Sequence, residues 1–220
     1  MAFLHLLTED GSDDLFYEAC AERITGRSFD SKCAKVKRGS GIRAVRAAIK
    51  YMLKGILRTG PVADTFFIVA LDNDRAPQHP DGARPPGVLS ASDQRKINRH
   101  EELHAAVAAV LGEDRSQWPI PGALAIPVEM LESWVLLMCD SQRPQPLPYF
   151  PSADKPAAQQ YHGTTNPPPQ LKDLAHSEAT ARGIANRHEL ALDIALAHDS
   201  AAVAAVSRSY ADFRDQLLTW

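Results

Sequence analysis

Thr65-Phe66-Phe67-Ile68-Val69-Ala70-Leu71-Asp72-Asn73-Asp74 is the stretch on which the reading of the fold turns. From Thr65 to Leu71 the run is continuously apolar, the pattern of a strand covered on both faces, as strands of parallel sheets are. Ahead of it, Ala2 to Thr8 reads as a short strand closed by Glu9-Asp10-Gly11. Ser12-Asp13-Asp14 then supplies a cap and first-turn acids for a helix to about Arg23. Ser31 to Lys37 alternates weakly and carries lysines, so it is expected as a second strand near a sheet edge. Ile42 to Arg58 is the clearest helix. Beyond the apolar run come a loop with Pro77, Pro80, Pro85 and Pro86, a helix from about Ser92 to Leu111, a fourth strand over Ala123 to Val128, and a helix from Glu129 to Met138. Strand alternating with helix implies an α/β fold: a parallel sheet of about four strands flanked by helices.

Between Pro144 and Pro169 eight of 26 residues are proline, so this segment reads as an extended connector. The Ala-rich remainder, Gln170 to Trp220, has a helical pattern and is expected to form a small helical extension of three short helices. The expected organisation is an α/β domain over residues 1–141, a proline-rich connector over 142–169 and a helical tail over 170–220.

The 220 residues carry 24 Lys+Arg against 27 Asp+Glu and are 45% hydrophobic, a composition that fits a water-soluble chain with a sizeable core. The longest apolar stretches fall short of the roughly 20 residues a bilayer span needs, so no membrane partner is expected. The first ten residues lack a basic n-region, and the three cysteines, Cys20, Cys33 and Cys139, are odd in number without C-x-x-C spacing. These features point to a cytoplasmic protein without a disulfide framework or thiolate zinc site. No phosphate loop of the G-x-x-x-x-G-K type is present.

Charge is concentrated. Between Gly26 and Arg58 ten basic residues stand against one acid, Asp30; that segment is +9, which leaves −12 of the net −3 for the rest. At 100° per residue Arg43, Arg46, Lys50, Lys54 and Arg58 share an arc of about 120° on one helix face, opposite Ile42, Val45, Ile49, Met52, Leu53 and Ile56. Such a stripe suits the backbone of a nucleic acid, whose phosphates are recognised through salt-sensitive, largely sequence-blind contacts. An acidic protein partner or a merely solvated face are the other readings, although a solvated face normally mixes both signs.

Asp72 and Asp74 follow the apolar strand directly, and side chains two apart on an extended segment point the same way. In parallel sheets that place is the crevice outside the carboxyl ends of the strands, where ligands bind. Glu9 holds the equivalent position after the first strand. Carboxylates gathered there repel unless a cation neutralises them, and hard oxygen ligands suit Mg²⁺ or Mn²⁺. The plainer reading, loop and cap chemistry for the aspartates and a solvated strand end for Glu9, stands beside it.

These segments resemble a known family. Thr8-Glu9-Asp10-Gly11-Ser12-Asp13 is similar to the acidic motif of Toprim domains, and Val69-Ala70-Leu71-Asp72-Asn73-Asp74 to their Asp-x-Asp motif. Glu132-Ser133-Trp134-Val135-Leu136-Leu137, Gln170-Leu171-Lys172 and Ser209-Tyr210-Ala211-Asp212-Phe213 resemble segments of small bacterial Toprim-like proteins of unassigned function, related to the overcoming-lysogenization-defect (OLD) type nucleases. Asp10 departs from the pattern, displacing the glycine that usually follows the Glu. The resemblance implies a divalent-metal-dependent nuclease: Asp72 and Asp74 as metal ligands, Glu9 as acid/base residue or third ligand, Glu132 in support, and Lys172 among the nucleic-acid contacts. By the same resemblance a separate ATPase is an expected partner and phage defence an expected setting.

A competing pattern lies at His100-Glu101-Glu102-Leu103-His104, which fits the H-E-x-x-H of zinc metallopeptidases. The charged Glu102, the preceding Arg99 and the missing H-x-x-G-x-x-H extension favour histidines that pack at the margin of a helix face. A third possibility is a Toprim-like module that binds nucleic acid or a partner without cleaving it.

Overall fold

The computed structural model describes residues 2–9, 11–34, 42–60, 64–72, 78–79, 82–83, 99–127, 131–141 and 170–220. In chain order these form β1 (Ala2–Leu7), α1 (Asp14–Thr25), β2 (Phe29–Cys33), α2 (Ile42–Thr59), β3 (Thr65–Ala70), the two-residue strands β4 (Gln78–His79) and β5 (Gly82–Ala83), α3 (Arg99–Leu111), β6 (Gly122–Ala125) and α4 (Glu132–Ser141). Four helices follow: α5 (Gln170–Ala181), α6 (Arg187–Ala197), α7 (Ser200–Val206) and α8 (Arg208–Leu217). The main sheet has the order β2-β1-β3-β6 with every pairing parallel, while β4 and β5 form a separate antiparallel pair. The four-stranded parallel sheet flanked by helices, with a helical C-terminal part, is as expected. No helix among the described residues is long and apolar enough to cross a membrane.

The strand order reverses at β1: β2 lies on one side of it and β3 on the other. Parallel crossovers are right-handed, so a reversal of direction sends the two connecting helices to opposite faces. The packing follows that rule. Leu4 and Leu6 of β1, Phe66, Ile68 and Ala70 of β3, and Ala123 and Ala125 of β6 face α1, α4 and the C-terminal helices. Leu7, Phe67, Val69, Leu71, Leu124 and Ile126 face α2, α3, Trp118 and Ile120. β3 is buried at all six positions because it is interior to the sheet and both faces are covered. Gly122 opens β6 because a Cβ there would stand 2.0 Å from the Phe67 ring.

The elements differ from the sequence expectations at their ends. β2 runs over Phe29–Cys33, two residues earlier than expected at its start, because Phe29 is buried against Phe66 and Trp220 with ring centroids 5.8 and 6.1 Å away. It is the edge strand, as its lysines suggest. α1 ends at Gly26, whose φ of 67° is left-handed and whose N–H returns to Glu22 O. The C-terminal part holds four helices rather than three. Asp199 accepts from the backbone of Ala201 and Ala202, and Ser207 from that of Tyr210, so each caps a new start.

That helical part shares the core of the α1 face. Trp134 of α4 stacks on Phe213 of α8 at 5.6 Å and meets Tyr210 edge-on at 5.3 Å, and its indole N–H donates to Ser209 Oγ at 3.1 Å. Tyr210 also bonds the buried His198. α8 further closes the sheet edge at β6: the buried Leu124 N–H, which no neighbouring strand receives, donates to Gln216 Oε1 at 2.7 Å. The connector over 142–169 lies outside the described residues.

Candidate functional site

The crevice between β1 and β3 is the switch point of the sheet, and the register pairs Leu7 with Val69 there. Glu9 and Asp72 therefore leave adjacent parallel strands at neighbouring levels of the carboxyl rim. Glu9 is exposed and Asp72 half-buried. Asp72 is held in place because the preceding Leu71 extends the ladder, its N–H donating to Ala125 O at 3.0 Å.

α1 begins against the same rim. Thr8 is buried and donates its hydroxyl to Asp14 Oδ1 at 2.6 Å, tying the end of β1 to the first turn of α1. Asp14 is itself only 7% exposed, at a helix start where the dipole favours a carboxylate. From the end of β2 the Cys33 thiol also reaches Asp14. Desolvation, then the hydrogen bond and charge of Asp14 and the charge of Glu18, push that thiol up to about 12, so it stays protonated at neutral pH.

One turn further along α1, Tyr17 is 2% exposed. Its hydroxyl is pushed well above its ordinary range by burial first, then by the charges of Asp72, Asp13 and Glu132 among others. Carboxylates from the end of β3, the N-cap of α1 and the first turn of α4 thus all act on the field at one phenol. Glu132 is 9% exposed and is neutralised in part by Arg187, the first residue of α6, whose Nε lies 2.9 Å from Glu132 Oε1. The C-terminal part in this way delivers a cation to the rim.

Of the acids singled out by sequence, Asp72 and Glu132 lie near enough for their charges to act on Tyr17, and Glu9 stands on the adjoining strand end. Asp74 lies outside the described residues. Tyr17 and Arg187 escape the sequence reading altogether. Asp13 and Tyr17 stand one helical turn apart, Tyr17 N–H donating to Asp13 O at 3.3 Å, but that spacing is common in any helix. Arg187 lies 55 positions from Glu132 and carries no local signal.

On the face opposite α1, Arg46, Lys50, Lys54 and Arg58 are all exposed on α2, and the helix contains no acid. The side chain of Arg43 lies outside the described residues. As a crossover helix returning from the end of β2 to the start of β3, α2 turns its first half toward the carboxyl rim. Lys172 is exposed on α5.

The histidines of the H-E-x-x-H pattern turn to different neighbours. His100 Nε2 lies 2.9 Å from Asp212 Oδ2 on α8, and the His104 ring is 6.1 Å from that of Trp118. Glu102 takes Arg99 at 2.9 Å. Among the described residues no group of three or more His, Cys, Asp or Glu is disposed to hold a metal ion. A cavity of about 560 Å³ lined by Arg115, Gly122, Asp212 and Gln216 opens where β6 begins, at the far end of the sheet from the carboxyl rim. Its polar groups serve the sheet edge: Arg115 donates to Gly122 O and to Gln216.

Comparison with known proteins finds no matching family model, no matching curated protein and no matching solved structure.

Proposed function

We propose that the carboxyl rim between β1 and β3 is a divalent-metal-dependent phosphodiesterase site acting on DNA or RNA, on a Toprim-like fold. What supports the reading is the rim geometry: Glu9 and Asp72 leave the adjacent parallel strands β1 and β3 at neighbouring levels, with Asp72, Asp13 and Glu132 near enough for their charges to raise the pKa of the Tyr17 hydroxyl. Gathering carboxylates in a half-buried crevice costs stability through mutual repulsion, and such concentrations of charge are a mark of sites built for chemistry.

The donor set fits a hard cation. Mg²⁺ keeps several of its waters and is usually held by one or two carboxylates together with substrate phosphates, so it does not require a complete protein cage. Asp72 would hold the ion, with Glu9 beside it and Asp74 as the second aspartate implied by the motif. When bound, the ion lowers the pKa of a water and stabilises the leaving oxygen. The remaining work falls to the chain's own residues. Exposed Glu9 would accept a proton from an attacking water. Tyr17 stays protonated and can donate only as a neutral phenol. Arg187, one third exposed, is free to exchange part of its pairing with Glu132 for a phosphate oxygen. The α2 stripe holds the flanking backbone. A separate ATPase is the proposed partner for any energy-coupled role.

The test is a cleavage panel with Mg²⁺ and with Mn²⁺ on single- and double-stranded DNA and RNA, run for wild type and for the Asp72→Ala/Asp74→Ala double variant. Metal-dependent cutting by wild type, abolished in the variant, is expected. Equal cutting by both proteins refutes the assignment, and binding without cleavage under either metal assigns the chain to the non-catalytic modules.

A further inference from the structure

Tyr51 is the most exposed large apolar side chain among the described residues, at 81%. It lies on α2 beside the basic stripe, with Lys50 next to it, Lys54 one turn on and Arg58 two turns on, all exposed. A phenol held in water among cations contributes nothing to the core, which α2 reaches from its other side through Val45, Ile49, Met52, Leu53 and Ile56.

Next to Tyr51 a cavity of about 270 Å³ opens between α2 and the edge strand β2. His5, Lys32 and Cys33 of the sheet line one wall, and Tyr51, Gly55 and Thr59 of α2 the other. Gly55 stands mid-helix, where alanine would favour the helix. A Cβ there would meet nothing within 4 Å, so the cavity is open on that side. Burial, then the charge of Lys32, lowers the His5 pKa, which leaves a neutral imidazole with one donor and one acceptor nitrogen. Lys32 on β2 and the lysines of α2 place positive charge on both sides of the opening.

We propose that this cleft binds an unpaired stretch of nucleic acid, with a base stacked on Tyr51 and the phosphates on either side of it held by Lys50, Lys54 and Lys32. The chemistry matches that occupant on each count. An aromatic face accepts any base, a cationic groove follows the backbone, and the two together are how single strands are bound without sequence preference. The wall of the cleft combines the apolar Ala34, Met52 and Ile56 with the His5 imidazole, a surface for the flat ring of a base with one polar group to meet its edge. In a duplex the base faces are already stacked on one another, so Tyr51 has no free face to meet. The inference rests on the reading of the rim as a phosphodiester site and narrows its substrate: α2 leads a single strand toward the carboxylates.

Fluorescence anisotropy in EDTA, where no cleavage occurs, tests the cleft by itself. The probes are a short labelled oligothymidylate, an abasic strand of the same length and a duplex of the same length. Tyr51→Ala is expected to weaken binding of the oligothymidylate about tenfold and to leave the abasic strand unchanged, and Tyr51→Phe to bind as wild type does. Lys50→Ala/Lys54→Ala should weaken both strands. Because Tyr51 is exposed, these variants keep the core intact. The proposal is overturned if wild type binds no probe, if it prefers the duplex, if Tyr51→Ala binds oligothymidylate undiminished, or if the abasic strand loses as much. Cleavage with Mg²⁺ is scored separately: a protein that grips the strand through Tyr51 yet never cuts it removes the nuclease reading and leaves the cleft standing.

Discussion

Replacing Gln216 by Met tests how the C-terminal part is fastened to the sheet. Gln216 Oε1 accepts from the Leu124 N–H at 2.7 Å and from Arg115, while Nε2 donates to Asp212 O at 2.9 Å and to Asp212 Oδ2 at 2.7 Å. Met keeps the volume and removes every one of these partners. Leu124 is 1% exposed, so its N–H is left buried without an acceptor, at about 1–3 kcal/mol. The bonds to Asp212 add roughly 1 kcal/mol more, while Arg115 retains Gly122 O at 3.0 Å. A total of about 2–4 kcal/mol in a chain of this length corresponds to a melting temperature lower by roughly 5–15 °C. Calorimetry measures the loss, and hydrogen exchange at the Leu124 amide localises it, since that proton should exchange faster while the amides of β1 keep their protection relative to the global stability. A Gln216→Met protein within about 0.5 kcal/mol of wild type, with Leu124 still protected, would falsify the claim that α8 closes the edge. The consequence reaches the site, because the same helix carries Phe213, packed edge-on to Tyr17 at 6.0 Å.

Two further outcomes are expected. Asp72→Asn removes one of the charges that act on the Tyr17 hydroxyl and tests metal binding by melting temperature in EDTA and in Mg²⁺. Wild type should gain the larger increment when Mg²⁺ is added, about 2.7 kcal/mol at a hundredfold excess over the dissociation constant; equal metal responses in the two proteins count against Asp72 as a ligand. His198 is buried against Tyr210 and Ala195 O, and burial lowers its pKa below the ordinary 6.5. The unfolded chain then binds the extra proton, so the stability His198 contributes is present above pH 6.5 and lost as pH falls below it toward the folded-state value. Urea titrations across that window should show a flatter acid limb for His198→Gln, and an unchanged slope would show that the buried imidazole is not responsible.

What the sequence determined alone is local and periodic. The run from Thr65 to Leu71 dictates a strand buried on both faces, since nothing polar in it tolerates a wet side. Strand–helix alternation dictates a parallel sheet, the lysines of β2 put it at an edge, and the acid-free spacing from Arg46 to Arg58 dictates one basic helix face. Asp72 and Glu9 could be assigned to the rim because the ends of parallel strands meet there whatever the rest of the chain does. Tertiary structure alone decided the remainder. Tyr17 reads as one more core aromatic until the fold sets it within the field of Asp13, Asp72 and Glu132, and Arg187 and Gln216 find Glu132 and Leu124 across 55 and 92 positions of chain. The pairing of His100 with Asp212 across 112 positions belongs to the same class. Contacts at such separations depend on how helices of ordinary pattern dock on one another, and docking is settled by the shape of the whole core rather than by any window of residues.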